Sequence, residues 1–190
     1  MDKVQKNLVI IDYQYDFVAL DGKLTCGQSA IDIEKNILAL ISEYKNENIF
    51  ITYDTHNEID WEDDTKKNEA EIFPCHCIDG SEGFELFGGL NKAIEDISVT
   101  KVYKNTFASE KLVKSIIMKN DPNEEILVQF CGVATNVCVF QNVILLYNYF
   151  VQNGIKFSIL IDKNTVASFD ETLEKQALDY LVNTLGVKIK

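Results

Sequence analysis

Six short runs rich in branched and aromatic apolar residues recur along the chain, at Leu8 to Ile11, Ile49 to Tyr53, Val99 to Val102, Ile126 to Phe130, Phe157 to Ile161 and Val187 to Ile189. Most lack the polar–apolar alternation of a sheet with one wet face, so they read as strands buried on both sides. Between them, Ala30 to Tyr44, Glu110 to Lys119, Val137 to Gln152 and Glu171 to Leu185 carry helical spacing. Ser109 and Asp170 stand at N-cap positions, and Gly154 and Gly186 are placed to stop helices. Doubly buried strands alternating with helices predict a three-layer α/β/α architecture around a central, mostly parallel six-stranded sheet.

With 190 residues, 46% of them hydrophobic, the chain has enough apolar surface for one sizeable core. No repeat or linker interrupts it, so residues 1–190 are expected to form a single domain. The net charge of -12 contains no arginine, which removes the bidentate fork that reads phosphates and base edges. Nucleic acid and anionic membranes are therefore not expected partners. The apolar run after Met1 is too short for a signal peptide or a membrane span, and the expected location is cytoplasmic. Five cysteines at irregular spacing make no even disulfide framework. In a reducing compartment such thiols are core fillers, metal ligands or nucleophiles.

One segment resists the strand and helix pattern. From Thr55 to Gly89 the chain reads as loop, with Pro74, four glycines, Trp61 and both histidines. A structureless stretch of this length in a compact domain is usually functional. It leaves the second strand at the carboxyl end, where open parallel sheets bind their ligands.

Three residues should gather at that same end. Asp12 closes the first strand, Lys104 follows the third, and Cys138 opens the helix after the fourth. A cysteine at a helix start beside an ammonium group is expected to have a lowered pKa and to be nucleophilic. The usual base would be histidine, but the chain has two, His56 and His76, both in the long loop. If both bind metal, Asp12 is left as the acid/base group and Lys104 as its neighbour. Taken singly, the same residues have plainer readings: Cys138 as a buried hydrophobe, Asp12 as a cap and Lys104 as a surface lysine.

Asp54 and His56 form a D-x-H pair whose side chains point the same way from an extended strand, and His76 follows in the loop. Two imidazoles and a carboxylate suit one divalent ion, zinc first, with manganese and iron as alternatives. Glu69 could reach that ion directly or through its waters. Cys75-His76-Cys77 also admits a structural zinc site. Adjacent extended residues point opposite ways, however, which argues against all three on one ion.

Taken together, Asp12-Tyr13-Gln14-Tyr15-Asp16-Phe17, Asp54-Thr55-His56, Pro74-Cys75-His76-Cys77-Ile78-Asp79-Gly80-Ser81-Glu82-Gly83, Lys104 and Cys131-Gly132-Val133-Ala134-Thr135-Asn136-Val137-Cys138-Val139 resemble the isochorismatase-like cysteine hydrolases, and within them the nicotinamidases. The resemblance spans nearly the whole chain. It implies a Cys138, Asp12, Lys104 triad and a non-proline cis peptide at Val133-Ala134 that aims the N–H groups of Ala134 and Cys138 at an oxyanion. It also implies a metal on Asp54, His56 and His76 with Glu69 contributing, and an aromatic wall of Phe17, Phe73 and Phe107 around a small-molecule substrate. Hydrolysis of nicotinamide to nicotinic acid and ammonia, NAD salvage and homo-oligomeric assembly follow as expectations of the same resemblance. Ser81 stands where threonine is commoner, and Asn136 where many nicotinamidases have aspartate. The alternative is a family hydrolase acting on an N-carbamoyl, ureido or isochorismate-like substrate. A non-catalytic binding module would have no use for an activated thiol.

Overall fold

A computed structural model of the chain describes residues 4–62 and 67–190. Asp63 and Asp64, part of the acidic run after Trp61, lie outside the described residues. Six strands form one sheet: β1 (Val4–Ile11), β2 (Asn48–Asp54), β3 (Val99–Lys104), β4 (Glu125–Val133), β5 (Phe157–Ala167) and β6 (Lys188–Ile189). Their order is β3-β2-β1-β4-β5-β6, and every pairing is parallel. The chain builds outward in one direction from β1 and in the other from β4. The crevice between these two strands is therefore the switch point at which a doubly wound sheet accepts a ligand.

The strands are apolar on both faces because both are covered. Leu8, Ile10, Ile49 and Ile51 pack against Ile37, Leu40 and Ile41 of α3 (Glu34–Glu43), beside α1 (Tyr15–Val18) and α2 (Gln28–Asp32). Val9, Ile11, Phe50, Val128 and Phe130 pack on the other side against α6 (Glu110–Lys119), α7 (Phe140–Gln152) and α8 (Glu171–Leu185). Burying each such side chain contributes about 1.5–3 kcal/mol, and this core fixes the strand ends as a rigid platform. The expected caps are present: Ser109 Oγ accepts from Leu112 N–H, and Asp170 accepts from Thr172 and Leu173 N–H. Gly186 ends α8 in the left-handed conformation.

The elements differ from the sequence reading in four places. The helix read from Ala30 to Tyr44 is two, meeting at Ile33. Ala30, Ile33 and Ile37 all bury on one face, so the apolar period runs through the break and hides it. β5 continues past Ile161 to Ala167: Phe130 pairs with Ile161 but Gly132 with Val166, so the polar residues between bulge out. The helix read from Val137 begins as a wide π-turn, Thr135–Val139, in which the Ala134 carbonyl accepts from Val137 and Val139. The loop of residues 55–89 holds turns of helix at Glu58–Trp61, α4 (Lys67–Ile72) and Glu82–Phe84, too short to show a period. α5 (Leu90–Ala93) follows it. No described helix is long and apolar enough to cross a membrane.

Gly132 joins the core to the site. Its φ is +107°, and a Cβ there would lie 2.1 Å from the Ile11 carbonyl oxygen. Only glycine lets β4 close on β1 at the point where both strands deliver their functional residues. Gly132→Ala is expected to destabilise the protein by more than about 4 kcal/mol or prevent folding. Gly154→Ala has a positive φ but open space around its Cβ position, and is expected to cost about 1–2 kcal/mol. Urea denaturation midpoints of the two variants check the difference.

Candidate active site

Asp12 leaves β1 with φ 46°, a left-handed turn that lifts the chain out of the sheet. Thr52 on the neighbouring strand donates its hydroxyl to Asp12 Oδ1 at 2.6 Å and accepts the Asp12 N–H at 3.1 Å. Lys104, the last residue of β3, reaches across β2. Its Nζ lies 2.7 Å from Asp12 Oδ2, 3.3 Å from Asp54 Oδ1 and 3.8 Å from Cys138 Sγ. Cys138 sits in the π-turn that follows the cis peptide Val133-Ala134. The structure thus gathers Asp12, Lys104 and Cys138, all buried, and the bland readings of a cap and a surface lysine do not hold.

The thiol is not acidified as its place at a helix start suggests. Burial pushes Cys138 well above the ordinary thiol range, and the opposing pull of Lys104 is weaker, with Asp12 and Asp54 adding to the rise. Asp12 is raised too, by burial first and by the Asp54 charge, against Lys104. Burial also works against a charged Lys104, but Asp12 and Asp54 outweigh it and keep the ammonium protonated. Cys138 and Asp12 are thus both shifted toward their protonated forms beside a charged Lys104.

Asp54 faces both ways. Its Oδ1 meets Lys104, while its Oδ2 lies 3.2 Å from His56 Nε2 and 3.2 Å from His76 Nε2. The three ligand atoms lie within 4.8 Å of one another, and all three residues are buried. His76 Nδ1 contacts the Pro74 carbonyl at 2.7 Å and His56 Nδ1 faces Asp60 Oδ2 at 3.5 Å. Those acceptors place the ring protons on Nδ1, so two Nε2 lone pairs confront one carboxylate oxygen. A single divalent cation satisfies all three, and the donor set fits the expected metal. Glu69 stands further out, its Oε1 3.9 Å from His56 Nε2. Cys77 points away to the Gly83 carbonyl, and neither it nor Cys75 joins the group among the described residues.

A small cavity opens beside these groups, lined by Phe17, Leu24, Asp54, Phe73, His76, Phe107, Ala134, Val137, Cys138 and Phe169. All three expected aromatics reach it. Phe17 tilts over His76 at 5.2 Å between ring centroids, and Phe73 meets Phe107 edge-on at 5.9 Å. Other participants escaped the sequence reading. Trp61 packs edge-on against both histidines and donates its indole N–H to the Phe73 carbonyl. Gln14 accepts the Asp54 N–H at 2.7 Å and donates to the Asp54 carbonyl at 2.9 Å, gripping that residue's backbone. The spacing Asp12-x-Gln14 was the available signal. Phe169 arrives only because β5 runs past its bulge, which no local pattern announces.

A thiol, a carboxylate and an ammonium at the carboxyl ends of a parallel sheet are groups a covalent hydrolase can use. The Isochorismatase domain model matches residues 6–189, and the chain belongs to that family. A Bacillus subtilis (strain 168) protein described as "Uncharacterized isochorismatase family protein PncA" is 31% identical over 194 residues, covering 98% of this chain and 99% of that one. The crystal structure of a pyrazinamidase/nicotinamidase from Streptococcus mutans UA159 has a TM-score of 0.83 at 32% identity, covering 98% of this chain and 100% of that one. That of nicotinamidase/pyrazinamidase PncA from Bacillus subtilis has a TM-score of 0.82 at 28% identity, covering 97% and 98%.

Elemental analysis of purified protein is expected to find about one divalent ion per chain, as the converging donors require. His76→Ala is expected to lose it. Glu69→Gln, altering a group outside the three-atom set, is expected to weaken metal affinity by about 10-fold or less.

Proposed function

We propose that the chain is a nicotinamidase, converting nicotinamide to nicotinic acid and ammonia. The observation that carries this reading is the cavity itself. Its apolar, aromatic walls suit a flat ring, and Cys138, Ala134, Asp54 and His76 all line the same space. The solved neighbours named nicotinamidase or pyrazinamidase over nearly their whole length support it, and they and the family make the chain an amidohydrolase.

Asp54, His56 and His76 would hold the metal, with zinc the first expectation. When bound, the ion supplies a Lewis acid that attracts the lone pair of a ring nitrogen. Phe17, Phe73 and Phe107 exclude water and hold the ring, leaving the carboxamide directed at Cys138. Asp12 takes the thiol proton as Sγ attacks the carbonyl carbon, and the N–H groups of Ala134 and Cys138 receive the charge on oxygen. As the C–N bond breaks, Asp12 returns the proton to the departing ammonia, leaving a thioester on Cys138. Asp12 then draws a proton from water, which attacks the thioester, and the thiol is restored with nicotinic acid released. Lys104 keeps its charge throughout and balances whichever of the two anions is present. The reading carries with it a cytoplasmic role in recycling amide released by NAD-consuming enzymes, and a homo-oligomeric enzyme.

Purified enzyme is expected to release ammonia from nicotinamide, to stop after chelation and to recover with one of zinc, manganese or iron. Cys138→Ala is expected to lower turnover by at least about 10⁴-fold with metal content and thermal melting unchanged. Wild-type protein that releases no ammonia with any of the three ions would move the assignment to an N-carbamoyl, ureido or isochorismate-like substrate.

A further inference from the structure

Thr52 is a polar residue in a stretch of β2 where Ile49, Phe50 and Ile51 are all buried, and it is itself fully buried. A hydroxyl without access to water must spend its donor and its acceptor on protein groups. Both go to Asp12: Oγ accepts the backbone N–H at 3.1 Å, and the hydroxyl hydrogen goes to Oδ1 at 2.6 Å. The direction follows from the backbone N–H, which can only donate: Oγ is its acceptor, and the hydroxyl hydrogen is left for Oδ1. One side chain thereby clasps Asp12 at its backbone, which carries φ 46°, and at one carboxylate oxygen.

The other oxygen is thereby singled out. Oδ2 lies 2.7 Å from Lys104 Nζ, and Lys104 Nζ lies 3.8 Å from Cys138 Sγ. We propose that Thr52 is a positioning residue for proton transfer, fixing the Asp12 carboxylate so that Oδ2 alone exchanges a proton with Cys138. In the forward step the Sγ–H bond breaks and an Oδ2–H bond forms, leaving the thiolate. In the second half of the same step that proton passes from Oδ2 to the leaving nitrogen. With Oδ1 occupied by the Thr52 hydroxyl hydrogen, a proton placed there would meet another donor, so the carboxyl has one productive protonated form. Valine at this position keeps the shape but offers neither the donor nor the acceptor.

The role in turnover rests on the amidase reading above, while the clasp itself does not. The test uses full-length, metal-loaded enzyme in three forms: wild type, Thr52→Val and Thr52→Ser. In Thr52→Val, kcat for nicotinamide is expected to fall about 10- to 100-fold, with KM within about 2-fold of wild type and metal content unchanged. Thr52→Ser, which restores the hydroxyl without the methyl, is expected to recover kcat to within about 3-fold. Crystal structures of both variants should show the Asp12 carboxylate turned away from Cys138 in the valine form and in place in the serine form. If valine prevents folding, Thr52→Ala replaces it with the same expectations. An Asp12 carboxylate that stays in place without the hydroxyl, a wild-type kcat in the valine form, or a serine form as slow as the valine form would each overturn the proposal. Should wild-type enzyme leave nicotinamide untouched, the substrate reading falls, and the position of Asp12 in the two crystal structures still decides the clasp.

Discussion

The buried ammonium of Lys104 is the interaction on which the site depends. It stands between Asp12 and Asp54, at 2.7 Å and 3.3 Å, and without it two carboxylates would share a dry pocket. Taking such a charge out of water is costly, and it is tolerated because both carboxylates compensate it. The arrangement also divides labour between them. Burial works against an ionised Asp54, but the pull of Lys104 holds it well below the ordinary carboxylate range, so it remains an anion suited to a cation. Asp12 is raised, because burial and the Asp54 charge exceed the pull of Lys104. Two acids at neighbouring strand ends share one lysine yet shift in opposite directions.

That lysine can be buried only because the sheet around it is rigid. The parallel strands are apolar on both faces and covered by helices, so their carboxyl ends have little freedom. Gly132 then lets β4 meet β1 closely enough to bring the Val133-Ala134 peptide beside the turn at Asp12. The metal-type donors are secured differently. Gln14 grips the Asp54 backbone, Pro74 and Asp60 orient the two imidazoles, and Trp61 packs on both. The segment around Trp61 is thereby tied to the site, with the indole N–H bonded to the same Phe73 that lines the cavity.

Fold class and candidate groups were legible in the sequence to different depths. Apolar runs reveal doubly buried strands because burial acts on composition directly, and all six were placed. Fine boundaries were less legible. Ile33 keeps the apolar period across a helix break, and the polar bulge in β5 conceals the strand beyond it, with Phe169 at its end. The reading of Cys138 as an acidified thiol failed because a helix start and a nearby lysine are visible in sequence, whereas complete burial, which outweighs them, is not.

By itself, then, the sequence determined a parallel sheet between helices, a cysteine, an aspartate and a lysine at strand ends, and a histidine pair with Asp54, because strand period and connection order act locally. Tertiary structure alone decided which of these groups touch and in what protonation state. The switch point between β1 and β4, the reach of Lys104 across β2, the Thr52 clasp on Asp12 and the wall supplied by Phe169 all join residues far apart in the chain. Such contacts depend on register and on close approach at Gly132, which no local pattern encodes.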